Sequence, residues 1–149
     1  MRFYLVDRVD AYEPGQSVRA RKLTSRAEEY WEDTGDGEMM PPPLVLEALC
    51  QAGAWLVIIS TEVRQRAALL SVGAVRFLDD VWPGDVLILE GHVETMGDEV
   101  AVLSGRVTVD GRPVLEADEI MCALIATGDL TDPAEVERLR VQITREGEK

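Results

Sequence analysis

The sequence predicts an α+β domain in which one long apolar helix is wrapped by a curved, mostly antiparallel sheet, with a short C-terminal helix added. Three observations carry this. Residues 44–59 form an apolar run that opens on Pro41-Pro42-Pro43; residues 69–126 are a series of alternating or β-branched runs; and the pairs Gly97-Asp98 and Asp110-Gly111 sit between those runs. A chain of 149 residues with 46% hydrophobic content is enough for one core. A single domain is expected over residues 1–149, with its core in 1–127 and a helical tail in 128–149.

The elements follow in order. Residues 3–11 and 17–24 mix β-branched, aromatic and polar side chains around the turn Glu13-Pro14-Gly15-Gln16, which predicts two paired strands. Residues 28–39 hold six acids (Glu28, Glu29, Glu32, Asp33, Asp36 and Glu38), two glycines and no base, and such a self-repelling segment predicts a loop. Proline cannot continue a strand ladder but suits the first turn of a helix, where the N–H groups lack intrahelical acceptors. A helix is therefore predicted over residues 42–61. Leu44, Val45, Leu46, Leu49, Ala52, Trp55, Leu56 and Ile59 surround most of its circumference, so burial on nearly all sides is expected, inside a curved sheet. Strands are predicted over residues 69–81, 86–96, 99–109 and 112–126, the first broken off by Trp82-Pro83-Gly84-Asp85 and the others by two-residue hairpin signals. Asp132, Pro133 and Glu135 fit an N-cap, a first-turn proline and a capping partner, which places a helix over residues 133–145.

Composition removes several function classes. A net charge of -13 argues against a general nucleic-acid binder, which needs a concentrated basic face. The basic concentration Arg19, Arg21, Lys22 and Arg26 reads either as a docking patch for an acidic partner or as a solvated strand face. The apolar run is interrupted by Glu47 and Gln51 and falls short of the about 20 clean residues of a membrane span, so no membrane association is expected. The N-terminal residues lack a signal-peptide core, and a cytoplasmic protein is expected. Cys50 and Cys122 lie in apolar runs, as reduced core thiols do, and His92 stands alone in a strand pattern, so neither a metal site nor a cofactor is predicted.

Three blocks stand in register. They are Leu5-Val6-Asp7-Arg8-Val9 with Glu13-Pro14-Gly15; Met40-Pro41 with Glu47-Ala48-Leu49-Cys50-Gln51-Ala52-Gly53; and Pro83-Gly84-Asp85 with Thr108-Val109-Asp110-Gly111 and Met121-Cys122-Ala123-Leu124. Together they resemble the β-hydroxyacyl-acyl-carrier-protein dehydratases of fatty-acid synthesis, a hotdog-fold family. The resemblance implies loss of water from a (3R)-hydroxyacyl thioester. It requires a histidine in the loop before the helix, a carboxylate on the helix of the opposite subunit, and a glycine N–H at the helix start. Such chemistry needs one group to take the proton beside the thioester, another to protonate the leaving hydroxyl, and a donor for the enolate-like oxygen.

On this sequence the carboxylate position is Glu47, with Gln51 one turn further on the same face. A glutamate in an otherwise apolar helix is costly to bury without a partner, which marks Glu47 independently of the resemblance. Fourteen residues before Glu47, at the histidine position, stands Asp33. As a base it is the weaker group, with a reference pKa of about 3.9 against about 6.5 for histidine. Where the glycine N–H is implied stands Pro42, which has none. The resemblance further implies substrate contacts at Met40, Pro42, Leu46 and Cys50.

Three functions follow for fatty-acid or polyketide metabolism. One is a dehydratase of weak or altered activity using Glu47 and Asp33. Another is a thioesterase in which Glu47 activates water. The third is a non-catalytic scaffold or partner subunit of an active dehydratase. The implied partner is an acyl-carrier-protein or coenzyme A thioester, bound in a tunnel at a dimer interface. Sheets joined edge to edge are expected, as a homodimer, a higher homo-oligomer or a heterodimer with an active homologue.

Overall fold

The computed structural model describes residues 4–146. In chain order the elements are β1 (Arg8–Glu13), β2 (Ser17–Leu23), β3 (Glu32–Asp33), β4 (Glu38–Met39), α1 (Pro42–Ser60), β5 (Gln65–Phe77), β6 (Val86–Met96), β7 (Val100–Val109), β8 (Arg112–Ala126) and α2 (Pro133–Thr144). Six strands make one sheet in the order β1-β2-β6-β7-β8-β5, and each neighbouring pair is antiparallel. The sheet curls round α1, whose Val45, Leu49, Leu56 and Val57 join Leu87, Leu89, Val107 and Leu115 in one core.

Glycine lets helix and sheet approach closely. A Cβ added at Gly105 on β7 would lie 2.9 Å from Leu49 Cδ1 and 2.6 Å from the Glu90 carbonyl oxygen, and one added at Gly53 would lie 3.0 Å from Leu103 Cδ1. The β7–β8 connection is the expected two-residue turn, with φ of 50° at Asp110 and 78° at Gly111.

Four expectations need correction. The strand expected over residues 69–81 is β5, Gln65–Phe77. Glu62 and Val63 take positive φ after α1, turning the chain back at once, so polar Gln65 and Arg66 already pair with Ala126 and Ile125. The first strand begins only at Arg8, because the Leu5 N–H is drawn to the Gln51 side chain instead of a ladder; Phe3 lies outside the described residues. The acidic segment is not wholly a loop but carries the small β3–β4 hairpin. Lys22 lies at the third inward position of β2 after Val18 and Ala20, so it is buried and draws Glu28 to it at 2.5 Å. Arg21 pairs with Asp10 at 2.7 Å and Arg19 with Glu90 at 3.9 Å, so acids offset three of the four bases in the supposed docking patch.

A further correction concerns α1. Nine of its residues are buried, but Pro43, Leu46, Glu47, Cys50, Gln51, Ala54 and Trp55 form a stripe that is only partly covered. The sheet has two separate edges, β1 and β5, and does not close round the helix. β5 is the long one, and Leu69, Leu70 and Phe77 on it are each at least half exposed. By length and composition α1 would suffice to cross a bilayer, but half of it is buried in the fold.

Candidate functional site on the uncovered face of the central helix

The site starts where the chain turns into α1. The Met40 N–H donates to the Val81 carbonyl at 2.8 Å, and the Met40 side chain is closed into the core, although substrate contact was expected of it. Pro42 and Pro43 bring no N–H to the first turn, and the Leu44 N–H is already bonded to the Pro41 carbonyl at 2.9 Å. The leading turn of a helix ordinarily offers free donors to an anion or a carbonyl oxygen. Here its first three positions offer none.

One turn in, Glu47 lies on the uncovered stripe between Leu46 and Cys50. Gln51 orients it, donating from Nε2 to Glu47 Oε1 at 3.1 Å while its own Oε1 accepts the Leu5 N–H at 2.8 Å. Burial, then the nearby Glu47 charge and Cys122, push the Cys50 thiol up to about 12. It is therefore protonated near neutrality and serves as apolar wall, not as nucleophile.

Asp33 is placed differently. It ends β3, is exposed, and its Oδ1 accepts the Gly35 N–H at 2.8 Å across the hairpin turn. Its carboxylate thus serves its own turn. His92 is exposed on β6, paired with Ser17 and Ser104 in the neighbouring strands.

The sequence reading missed what fixes the loop carrying Asp33. Buried Lys22 bonds Glu28 and the Leu23 carbonyl, the Tyr30 hydroxyl donates to the other Glu28 oxygen, and the Trp31 indole N–H reaches the Ser25 carbonyl at 2.9 Å. Farther on, Gly37 passes against the Trp82 ring. The period-two burial of Val18, Ala20 and position 22 was the available signal, since it turns Lys22 inward and demands a partner. What this chain brings together is thus an oriented carboxylate on an open helix face, with a histidine position that holds a turn-bound aspartate and a helix start without donors.

The chain as a whole is similar to known proteins. A FabA-like domain family matches residues 1–118. The 3-hydroxyacyl-[acyl-carrier-protein] dehydratase FabZ of Roseiflexus sp. (strain RS-1) is 36% identical over 128 residues, covering 85% of this chain and 89% of that one. The FabZ of Nitratidesulfovibrio vulgaris (strain DP4) is 35% identical over 127 residues, covering 83% and 81%. Among solved structures, smu.793 from Streptococcus mutans UA159 bound to acetyl CoA superposes with a TM-score of 0.65 at 20% identity, covering 85% of this chain and 93% of that one. The dehydratase heterocomplex ApeI:P from Xenorhabdus doucetiae gives 0.63 at 17% identity, covering 91% and 88%. The fold of those neighbours is the one described above, a hotdog, and the chain belongs to the FabA-like family that includes the FabZ dehydratases.

Proposed function

We propose that this chain is a dehydratase-family subunit that binds a (3R)-hydroxyacyl thioester against the uncovered face of α1 and contributes Glu47 to a site completed by a histidine-bearing second chain. The observation that carries this reading is the contrast between its two carboxylates: Glu47 is held by Gln51 on the open stripe, whereas Asp33 is spent on its own turn. In such a site the second chain's imidazole takes the proton from C2 of the acyl group. The electron pair left behind forms the C2=C3 double bond as the C3–O bond breaks, and the hydroxyl leaves as water with a proton from the Glu47 carboxylic acid. Return of the proton from imidazolium to Glu47 resets the site. The exposed edge of β5 is where a second hotdog would extend the sheet, and the Xenorhabdus doucetiae neighbour is itself a dehydratase heterocomplex.

The test is to incubate 3-hydroxyacyl and plain acyl thioesters, on carrier protein and on coenzyme A, with this chain alone and mixed with a histidine-bearing homologue. Water loss and thiol release are scored separately. The chain alone should dehydrate very slowly or not at all. The mixture should exceed the homologue alone, and Glu47→Gln in this chain should remove the excess. Turnover by the unmixed chain at the homologue's rate would overturn the reading, and thiol release without water loss would make the chain a thioesterase.

A further inference from the structure

The helix α2 lies beyond the matched residues 1–118 and has no part in the proposed chemistry, yet it packs beside the uncovered stripe of α1. Val136 is buried against Ile58, Val63 and Trp55, and Ile143 reaches the main core. Between the two helices a cleft of about 380 Å³ runs along Gln51, Ala54, Trp55 and Ile58 on one side and Val136 and Leu139 on the other. Those four α1 positions are one face of a helix, spaced three and four apart. A smaller cleft of about 230 Å³ adjoins it and shares Tyr4, Gln51, Trp55 and Leu139.

The cleft begins at the residue that holds Glu47, because Gln51 both lines it and donates to that carboxylate. Its walls along α1 are apolar up to Ile58. It then meets Arg66, which donates to Thr131 Oγ1 at 3.2 Å, and Glu135. An alkyl chain gains by leaving water along such walls and loses where it would strip solvent from a guanidinium. From Gln51 to Ile58 the helix rises about 10 Å, which accommodates an extended chain of roughly eight carbons.

We infer that α2 converts the open stripe of α1 into a groove for the acyl tail of the thioester, and that Leu139 and Arg66 set the length of tail accepted. This rests on the thioester-binding reading above and adds the substrate class: acyl groups of medium length, about eight carbons.

The test uses the full chain and S-acyl pantetheines, the part common to both carriers, with tails of four, eight and twelve carbons, and measures binding by calorimetry. The unaltered protein should bind the eight-carbon probe at least tenfold more tightly than the four-carbon one, with no further gain at twelve. Leu139→Trp fills the groove and should bring eight-carbon affinity down to the four-carbon level. Arg66→Met removes the polar stop and should make the twelve-carbon probe the tightest, a gain that misfolding would not produce. If acyl pantetheines bind but the length profile is the same in all three proteins, the groove assignment is wrong while the thioester-binding reading stands. If no probe binds the unaltered protein at any length, both fall.

Discussion

Gln51 and Glu47 are joined as donor and acceptor one turn apart on α1, and the same Gln51 amide holds the Leu5 N–H through its oxygen. One side chain thus sets the carboxylate and anchors the segment leading into β1. Gln51→Leu should lower stability by about 1–3 kcal/mol, the cost of leaving a buried N–H unpaired, as read from urea unfolding. In the mixed assembly it should also reduce turnover without abolishing it, since Glu47 remains but loses its orientation. Unchanged stability and unchanged turnover would remove Gln51 from both roles.

Gly105 is where the sheet lets Leu49 of α1 come close, and a Cβ added there would lie 2.6 Å from the Glu90 carbonyl oxygen, a distance no methyl tolerates. Gly105→Ala should cost about 1–3 kcal/mol through displaced backbone and helix. Gly128, with open space round it, is the control: Gly128→Ala should be close to neutral in the same denaturation measurement.

Acid should loosen the loop that carries Asp33. Burial alone would raise the Glu28 carboxyl, but hydrogen bonds from Lys22, Tyr30 and the Ser25 N–H, with the Lys22 charge, bring it below its ordinary 4.5. A carboxyl depressed in the folded state stabilises it fully above its unfolded pKa, and that contribution is lost as pH falls through the folded value. Thermal unfolding between pH 7 and pH 3 should therefore show a steeper acid loss in the unaltered protein than in Glu28→Gln. Equal slopes would show that the Lys22–Glu28 pair does not titrate with folding.

The β5 edge should govern assembly. Leu70 is 58% exposed on an edge strand of 13 residues that pairs with β8 on one side only. Leu70→Lys places a charge where a second strand would lie, and should shift sedimentation at micromolar protein from dimer to monomer. A monomer in the unaltered protein would count against edge-to-edge association altogether.

Asp33→His with Pro42→Gly should recover far more dehydration by this chain alone than either change by itself, because imidazole and backbone donor act on one transition state. Single-turnover conversion of a 3-hydroxyacyl carrier-protein thioester reads it out. The new histidine must also do without the bond that Asp33 Oδ1 accepts from the Gly35 N–H, so a control adding Gly35→Asn tests the turn. Additive gains would mean that the two positions do not share a site.

Much of this was legible in the residues. The limits of β6 and β8 and the start of α1 fell where turn residues and Pro41-Pro42-Pro43 put them, because those signals act within a few positions. Glu47 stood out in the sequence for a different reason, a charge among apolar neighbours, and the structure puts it on the partly covered face of α1. The start of β5 was not: Gln65 and Arg66 look like loop residues, and only the reversal at Glu62 and Val63 and the pairing with β8 make them strand. Nor was the Lys22–Glu28–Tyr30 network, which spans β2 and an acidic segment whose like charges read as mutual repulsion until one buried ammonium collects two of its residues. The open stripe on α1 was hidden in the same way, since hydropathy reports that a face is apolar and not whether its own chain covers it.

The bare rim of β5 has a consequence for dosage. A ladder of peptide groups reads no side chains, so a second copy and a related chain would join it almost equally well, and preference would be left to the few residues that crown it, such as Leu69, Leu70 and Phe77. Where those differ little between two chains, the proportion of mixed to like pairs follows the amounts of each that are made. Output would then peak at matched expression, and an excess of this chain would draw its companion out of like pairs.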